Sequence, residues 1–328
     1  METKVQRESN FEVLRIISIV LILIVHAAYK PFQDFGSYSV WRAFACTLGM
    51  TGVNIFVLIT GWFGTKLRIS KLFGLIYQVV FISAISFSII LFGNFGFDKH
   101  IRFNTILYWF IVCYIGLIIF TPILNAAVKA LTRKGLLSTI IIIYVVVTAF
   151  DPFSPGLTFR HGNSTLWFME LYLLGRYLRL YPIEISKKTL LLTAFLSLVL
   201  NSLIMTRYRI LSEINPALIL TAVSFLLLTA KSRQFYCSSI NSIASSVTMV
   251  YLLNDCQVGV TVYKSTIRNF YETHDILSFI GLTILLILLY FIIGIAIDQI
   301  RKFTFAIILK FSSRYIKSID NMLKGYGL

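Results

Sequence analysis

Long apolar runs separated by short polar clusters set the pattern of this chain. An apolar run of about 17–23 residues, wound as an α-helix, is long enough to cross the hydrocarbon core of a bilayer. Such runs lie near residues 11–29, 41–63, 73–93, 104–122, 136–150, 165–181, 189–205, 215–230, 240–261 and 276–298. The pattern therefore predicts an all-α, polytopic integral membrane protein of about ten transmembrane helices, with the fifth and eighth short. The connectors are too short to hold a soluble domain. No internal repeat or inverted symmetry is visible, which counts against the many transporter folds built from repeats. The expected division is a transmembrane bundle over 1–298 and a basic, amphipathic tail over 299–328 lying on the membrane surface.

Composition strengthens this picture. The 328 residues are 57% hydrophobic and 13% charged, against roughly 25% charged in a soluble domain, and the mean hydropathy is +0.82. The first apolar run is a full span without an A-x-A-like cleavage site, so it is expected to stay in the protein. Four scattered cysteines, Cys46, Cys113, Cys237 and Cys256, have no paired spacing. They argue against a disulfide framework and against a metal site.

The net charge of +16 superficially suggests nucleic acid, but in a membrane protein the placement of charge is the stronger signal. With ten spans, both termini share a side. That side carries 20 lysines and arginines, the opposite side 8. The positive-inside rule then puts both termini in the cytoplasm. Nucleic acid is not expected as a partner.

Against this background the stretch from Ser9 to Tyr29 stands out. Ser9 and Glu12 have the spacing of a capping box that opens a helix. The run that follows carries Arg15 near its start and His26 near its end. Eleven residues at about 100° each come within about 20° of three whole turns, and cover about 16 Å of rise. Both side chains therefore lie on one stripe of one helix, Arg15 near the cytoplasmic interface and His26 beyond the midplane. Arg15 alone reads as a residue snorkelling to headgroups, and His26 alone as a hydrogen-bonded core histidine. Their alignment favours function, because ionisable groups within a membrane are expensive to keep.

Further candidates follow along the chain. The second span carries Asn54 and several glycines, which permit close helix packing, and is followed by Lys66, Arg68 and Lys71. Those cations mark a cytoplasmic boundary; beside Arg15 they could equally hold a phosphate-bearing ligand. Trp109 in the fourth span reads either as part of an interfacial aromatic belt or as a pocket wall. The sixth span carries Trp167 and Glu170. A carboxylate at that depth needs a partner, either His26 or a cation such as Arg42. In the ninth span Asn254 and Asp255 either glue helices or line a cavity. His100, His161 and His274 fall in outer loops and are expected to be solvated.

Taken together, several segments resemble a known family. Asn10-Phe11-Glu12-Val13-Leu14-Arg15 with His26, the segment from Asn54 to Gly64, Trp109-Phe110 through Asn125, and Leu166-Trp167-Phe168 through Gly175 resemble, in order, the acyltransferase-3 membrane proteins, in particular the bacterial branch acting on capsular and exopolysaccharides. The resemblance implies about ten transmembrane helices in a bacterial cell membrane. It also implies acetyl-CoA as acyl donor and a glycan or lipid-linked saccharide hydroxyl as acceptor. His26 and Arg15 match the family's essential histidine and arginine. Two positions depart from its pattern: Asn254 stands where a histidine is usual, and Thr60 where serine is common.

The expected mechanism has His26 as general base, with Glu170 or Asp255 orienting its second nitrogen, and no metal. Arg15, Lys66, Arg68 and Lys71 would bind coenzyme A phosphates, while Asn54, Trp109, Trp167 and Asn254 would line the substrate pocket. Two rivals use the same residues differently. A transporter or flippase for a lipid-linked saccharide would line its path with Arg15 and Glu170 and use no coenzyme A. An inactive relative would act as a receptor or assembly factor. A homo-oligomer is compatible with any of these.

Overall fold

A computed structural model describes residues 7–34, 39–93, 108–151, 162–208 and 212–325. His100 and His161 lie outside the described residues. Among the described residues, twelve α-helices follow in order: α1 (Ser9–Tyr29), α2 (Val40–Phe63), α3 (Ile69–Phe92), α4 (Trp109–Ala130), α5 (Arg133–Phe150), α6 (Thr165–Leu180), α7 (Lys187–Tyr208), α8 (Pro216–Ala230), α9 (Ser238–Ala244), α10 (Val247–Asp255), α11 (Gln257–Thr273) and α12 (Ile276–Gly325). Seven of them are long and apolar enough to cross a membrane: α1 to α5, α7 and α12. The chain is a multi-pass membrane protein. Helix α8 is apolar but has only 15 residues, and α6 has 16, so helix length alone does not reproduce the ten spans of the sequence pattern.

The expected ninth span is not one helix. The run over 240–261 is divided among α9, α10 and α11. Ser245 and Ser246 separate the first two, and Cys256 adopts extended backbone between the second and third. There Cys256 Sγ accepts from the Gly259 amide at 3.3 Å, capping α11. A Cβ on Gly259 would lie only 1.7 Å from the Leu253 carbonyl oxygen, so glycine is what lets the chain turn back so tightly. Residues 299–325 continue α12 without interruption, and the expected surface tail begins as part of the last helix.

Helix α2 is the hub. Of its most apolar stretch 78% is buried, against 22% for α12, so α2 is surrounded by protein while α12 shows most of its apolar surface outward. Two close approaches seat α2 against its neighbours. A Cβ at Gly52 would lie 2.4 Å from the Ser18 oxygen of α1, and one at Gly61 would lie 2.3 Å from the Tyr172 oxygen of α6. Small residues let helix backbones touch in this way.

The start of α1 differs from the expected capping box. Glu8 is the N-cap residue and contributes no side-chain cap. Ser9 instead donates to Asn241 Oδ1 at 2.9 Å and accepts from the Cys237 amide at 2.8 Å, pinning α1 to α9. Glu12 is taken by Arg15 at 2.6 Å. Tertiary partners have displaced the local motif.

Candidate active site

The two ends of the α1 stripe have different surroundings. At the far end His26 is half-buried, and its Nδ1 faces Asn254 Oδ1 at 2.5 Å. Asn254 is fully buried and sits at the end of α10, where the broken ninth segment brings it against α1. As an amide oxygen can only accept, the imidazole donates Nδ1–H to it. The Nε2 lone pair then stays free, because a neutral imidazole carries a proton on one nitrogen and a lone pair on the other. One residue further along, Asp255 is ion-paired with Lys30 at 2.5 Å and accepts from the Tyr251 hydroxyl at 3.1 Å. Tyr251 lies against His26 with ring centroids 6.4 Å apart. A histidine, its tautomer-fixing amide and a half-buried ion pair thus share one end of α1.

At the near end Arg15 opens onto a cavity of about 600 Å³, within the range usual for ligand pockets. Among the described residues four cations line it: Arg7, Arg15, Lys71 and Arg301. The acids Glu8 and Glu12 line it as well. Lys66 and Arg68 are exposed and do not line it, so of the three basic residues after α2 only Lys71 reaches the cavity. Arg301 comes from α12, in the stretch the sequence pattern assigned to a surface tail.

A file of aromatic rings connects the two ends. Phe56 and Tyr114 form part of the cavity wall. Phe110 packs against Phe56 at 5.5 Å and stacks on Tyr114 at 5.9 Å. It also contacts Tyr251 at 5.3 Å, the ring that touches His26. Trp109 flanks this file through Phe110 at 6.0 Å and Phe168 at 6.2 Å.

Three other candidates are placed elsewhere. Trp167 Nε1 donates to Asn54 Oδ1 at 3.2 Å, and Asn54 Nδ2 donates to the Glu213 backbone oxygen at 3.0 Å. The polar atoms of both side chains thus tie α2, α6 and the segment before α8 together, and neither residue lines the cavity. Glu170 is buried, and its Oε2 has no hydrogen-bond partner among the described residues. The expected pairing of Glu170 with His26 or with Arg42 is not formed: Asn254 holds the imidazole, and Arg42 donates to the Phe32 carbonyl at 3.1 Å and lies over the Phe32 ring. Asp255 is engaged with Lys30, not hydrogen-bonded to His26.

One comparison with known proteins gives a match. The sequence profile of an acyltransferase domain, that of the acyltransferase-3 family, matches residues 8–299. The chain belongs to this family. Comparisons with curated proteins and with solved structures find no match. The family match spans both ends of the site, from Arg15 through Asn254, and ends two residues before Arg301. Arg301 and Lys30 were not among the candidates from sequence. Each becomes visible only once a helix far away in the chain is packed beside α1 or α3.

Proposed function

We propose that this acyltransferase moves an acetyl group from acetyl-CoA to a hydroxyl of a cell-surface or exopolysaccharide glycan, free or lipid-linked, from within a bacterial cell membrane. The observation that carries the reading is the single helix with Arg15 in a cation-lined cavity at one end and His26 held by an amide at the other. Acyl transfer from a phosphate-bearing thioester needs both: a site for the anionic end, and a base for a weak hydroxyl nucleophile.

In this reading Arg15 and Lys71 hold phosphate groups of the donor at the cytoplasmic side, and the pantetheine arm passes along the aromatic file. His26 Nε2 takes the proton of the sugar hydroxyl as its oxygen attacks the thioester carbonyl carbon. The C–S bond then breaks, and the departing thiolate recovers the proton from His26. A positioned base of this kind contributes roughly 10²–10⁴-fold. Asn254 serves as the third member of the arrangement, the role expected of Glu170 or Asp255, by holding Nδ1–H away from the reacting atoms. The histidine usual at this position is therefore replaced by a residue that can perform the orienting task.

Membranes containing the wild-type protein or His26→Ala, matched for expression, are supplied with labelled acetyl-CoA, and surface glycans are analysed by mass spectrometry. Acetylated glycan is expected only with the wild type. Full acetylation by His26→Ala refutes the reading.

A further inference from the structure

Part of the cavity wall is built by a residue that lies outside the family match and outside the site candidates read from the sequence. Arg301 is 6% exposed and stands on α12 beyond the last matched residue. Its Nε and Nη2 both donate to Asp298 Oδ1, at 2.9 and 2.6 Å. Asp298 is itself fully buried and also ion-pairs Lys302 at 3.1 Å. Lys302 is drawn to Ser245 and Ser246 at the α9–α10 break, 2.7 and 2.8 Å away. Arg301 Nη1 makes no hydrogen bond among the described residues, while the residue lines the cavity with Arg15 and Lys71. Phe305, one turn further, also lines the cavity and stacks on Tyr77 at 5.2 Å, with the guanidinium 6.0 Å from its ring. At the far end of α12, Asp320 accepts from the Ile69 amide at 2.9 Å, docking the helix onto the start of α3.

This is a built arrangement. Burying a guanidinium is costly unless it is paired, and the pairing here engages Nε and Nη2 and leaves Nη1 without a hydrogen bond among the described residues. A surface tail would have no reason to bury Arg301 or to tie it with two hydrogen bonds. Around the same space stand four cations and two acids, and Glu12 is already taken by Arg15. The surplus positive charge suits a ligand with more than one phosphate.

We propose that Arg301, held by Asp298, is a binding residue for the diphosphate-bearing end of the donor, so that the last helix supplies one wall of the nucleotide site. The proposal rests on the acyl-CoA reading for its ligand, but its chemistry requires only an organic diphosphate. The continuation of α12 past residue 298 then has a function: it brings a guanidinium to the same cavity as Arg15 and Lys71.

Binding of coenzyme A, and separately of pyrophosphate, is measured on the purified full-length protein in detergent, as wild type, Arg301→Gln and Arg301→Lys. A charge-assisted hydrogen bond to a phosphate is worth roughly ten- to hundred-fold in affinity. Arg301→Gln is expected to weaken both probes by about that factor and to make the remaining affinity less dependent on salt, with Arg301→Lys in between. If thermal unfolding shows that Arg301→Gln destabilises the fold, Arg301→Lys, which keeps a cation beside Asp298, carries the test. Equal affinity of all three proteins for coenzyme A overturns the role of Arg301 and leaves the acyl-CoA reading standing. Arg301-dependent binding of pyrophosphate without binding of coenzyme A keeps the proposal and removes acyl-CoA as donor. A wild type that binds neither probe overturns both.

Discussion

Asn254 offers the sharpest test of the proposed chemistry. Its side chain is fully buried, its Oδ1 lies 2.5 Å from His26 Nδ1, and its Nδ2 has no partner among the described residues. The amide thus has one visible task, to accept Nδ1–H. Asn254→Ala removes the acceptor and leaves the imidazole free to rotate or to place its proton on Nε2, where it cannot act as base. A buried hydrogen bond lost with its partner left behind costs about 1–3 kcal/mol, which corresponds to roughly 5- to 150-fold in kcat at about 1.4 kcal/mol per tenfold. Asn254 does not line the cavity, so KM for acetyl-CoA is expected to stay within about twofold. The substitution that tests the argument from the other side is Asn254→His. An imidazole can also accept through a nitrogen, and histidine is the residue usual there in the resembled family, so much of the lost kcat is expected to return. Steady-state turnover of acetyl-CoA by purified, correctly folded variants decides it. Wild-type kcat in Asn254→Ala refutes the orienting role. A parallel rise in KM with unchanged kcat refutes it too, because that is the signature of lost substrate binding.

Three further outcomes follow from particular contacts. Lys71→Gln is expected to weaken coenzyme A binding several-fold by calorimetry while Lys66→Gln leaves it unchanged, because only Lys71 reaches the cavity. Gly61→Ala would press a Cβ to 2.3 Å from the Tyr172 carbonyl oxygen and should lower stability by about 1–3 kcal/mol in thermal unfolding. By contrast, Gly281→Ala meets nothing within 4 Å and should be neutral or gain up to about 1 kcal/mol from helix propensity. Burial pushes the Glu213 carboxyl, in the segment before α8, up to about 8, while in an unfolded chain it titrates near 4.3. The folded state then holds the extra proton between those values, so this stabilising term is full below about pH 4 and is lost as pH rises through about 8. Melting temperatures between pH 5 and 8.5 should fall less in Glu213→Gln than in the wild type.

What could be read from the sequence was local. Arg15 and His26 are visible because their spacing can be converted to angle and rise on one helix, with no knowledge of any partner. The glycines of α2 were legible as packing positions for the same reason. The partners of these residues were not legible. Asn254 reaches His26 across 228 residues of sequence, and Lys30 reaches Asp255 across 225, so no periodicity connects them. The ninth span reads as one helix because its polar residues are scattered through an otherwise apolar stretch. The signals that do mark the breaks, Ser245-Ser246 and the Asn254-Asp255-Cys256-Gln257 run ahead of Gly259, are small and polar and give no periodic trace. Glu170 drew attention as a lone buried acid, but depth alone could not tell which neighbour faced it. Lys66, Arg68 and Lys71 are equivalent as charge, and only the turn from α2 into α3 separates the one that borders the cavity.

The break between α9, α10 and α11 is the feature that joins both ends of the site. An unbroken helix in this position would have to present Asn254 and Ser246 along one straight axis. Instead the stretch is cut twice. The first cut leaves Ser245 and Ser246 turned to Lys302, beside the buried Asp298–Arg301 pair, and the second ends α10 where Asn254 meets His26. Irregular backbone within a membrane protein is tolerated where it is buried in protein or lines a cavity, and both cuts satisfy that condition. Helix α1 packs closely on α2 at Gly49 and Gly52, and Arg15 and His26 lie on that one continuous helix. The broken segment can then meet that helix at two places at once. Only the cuts free its ends to do so. Phe110, Phe56 and Tyr114 pack against one another in the interval between the two ends.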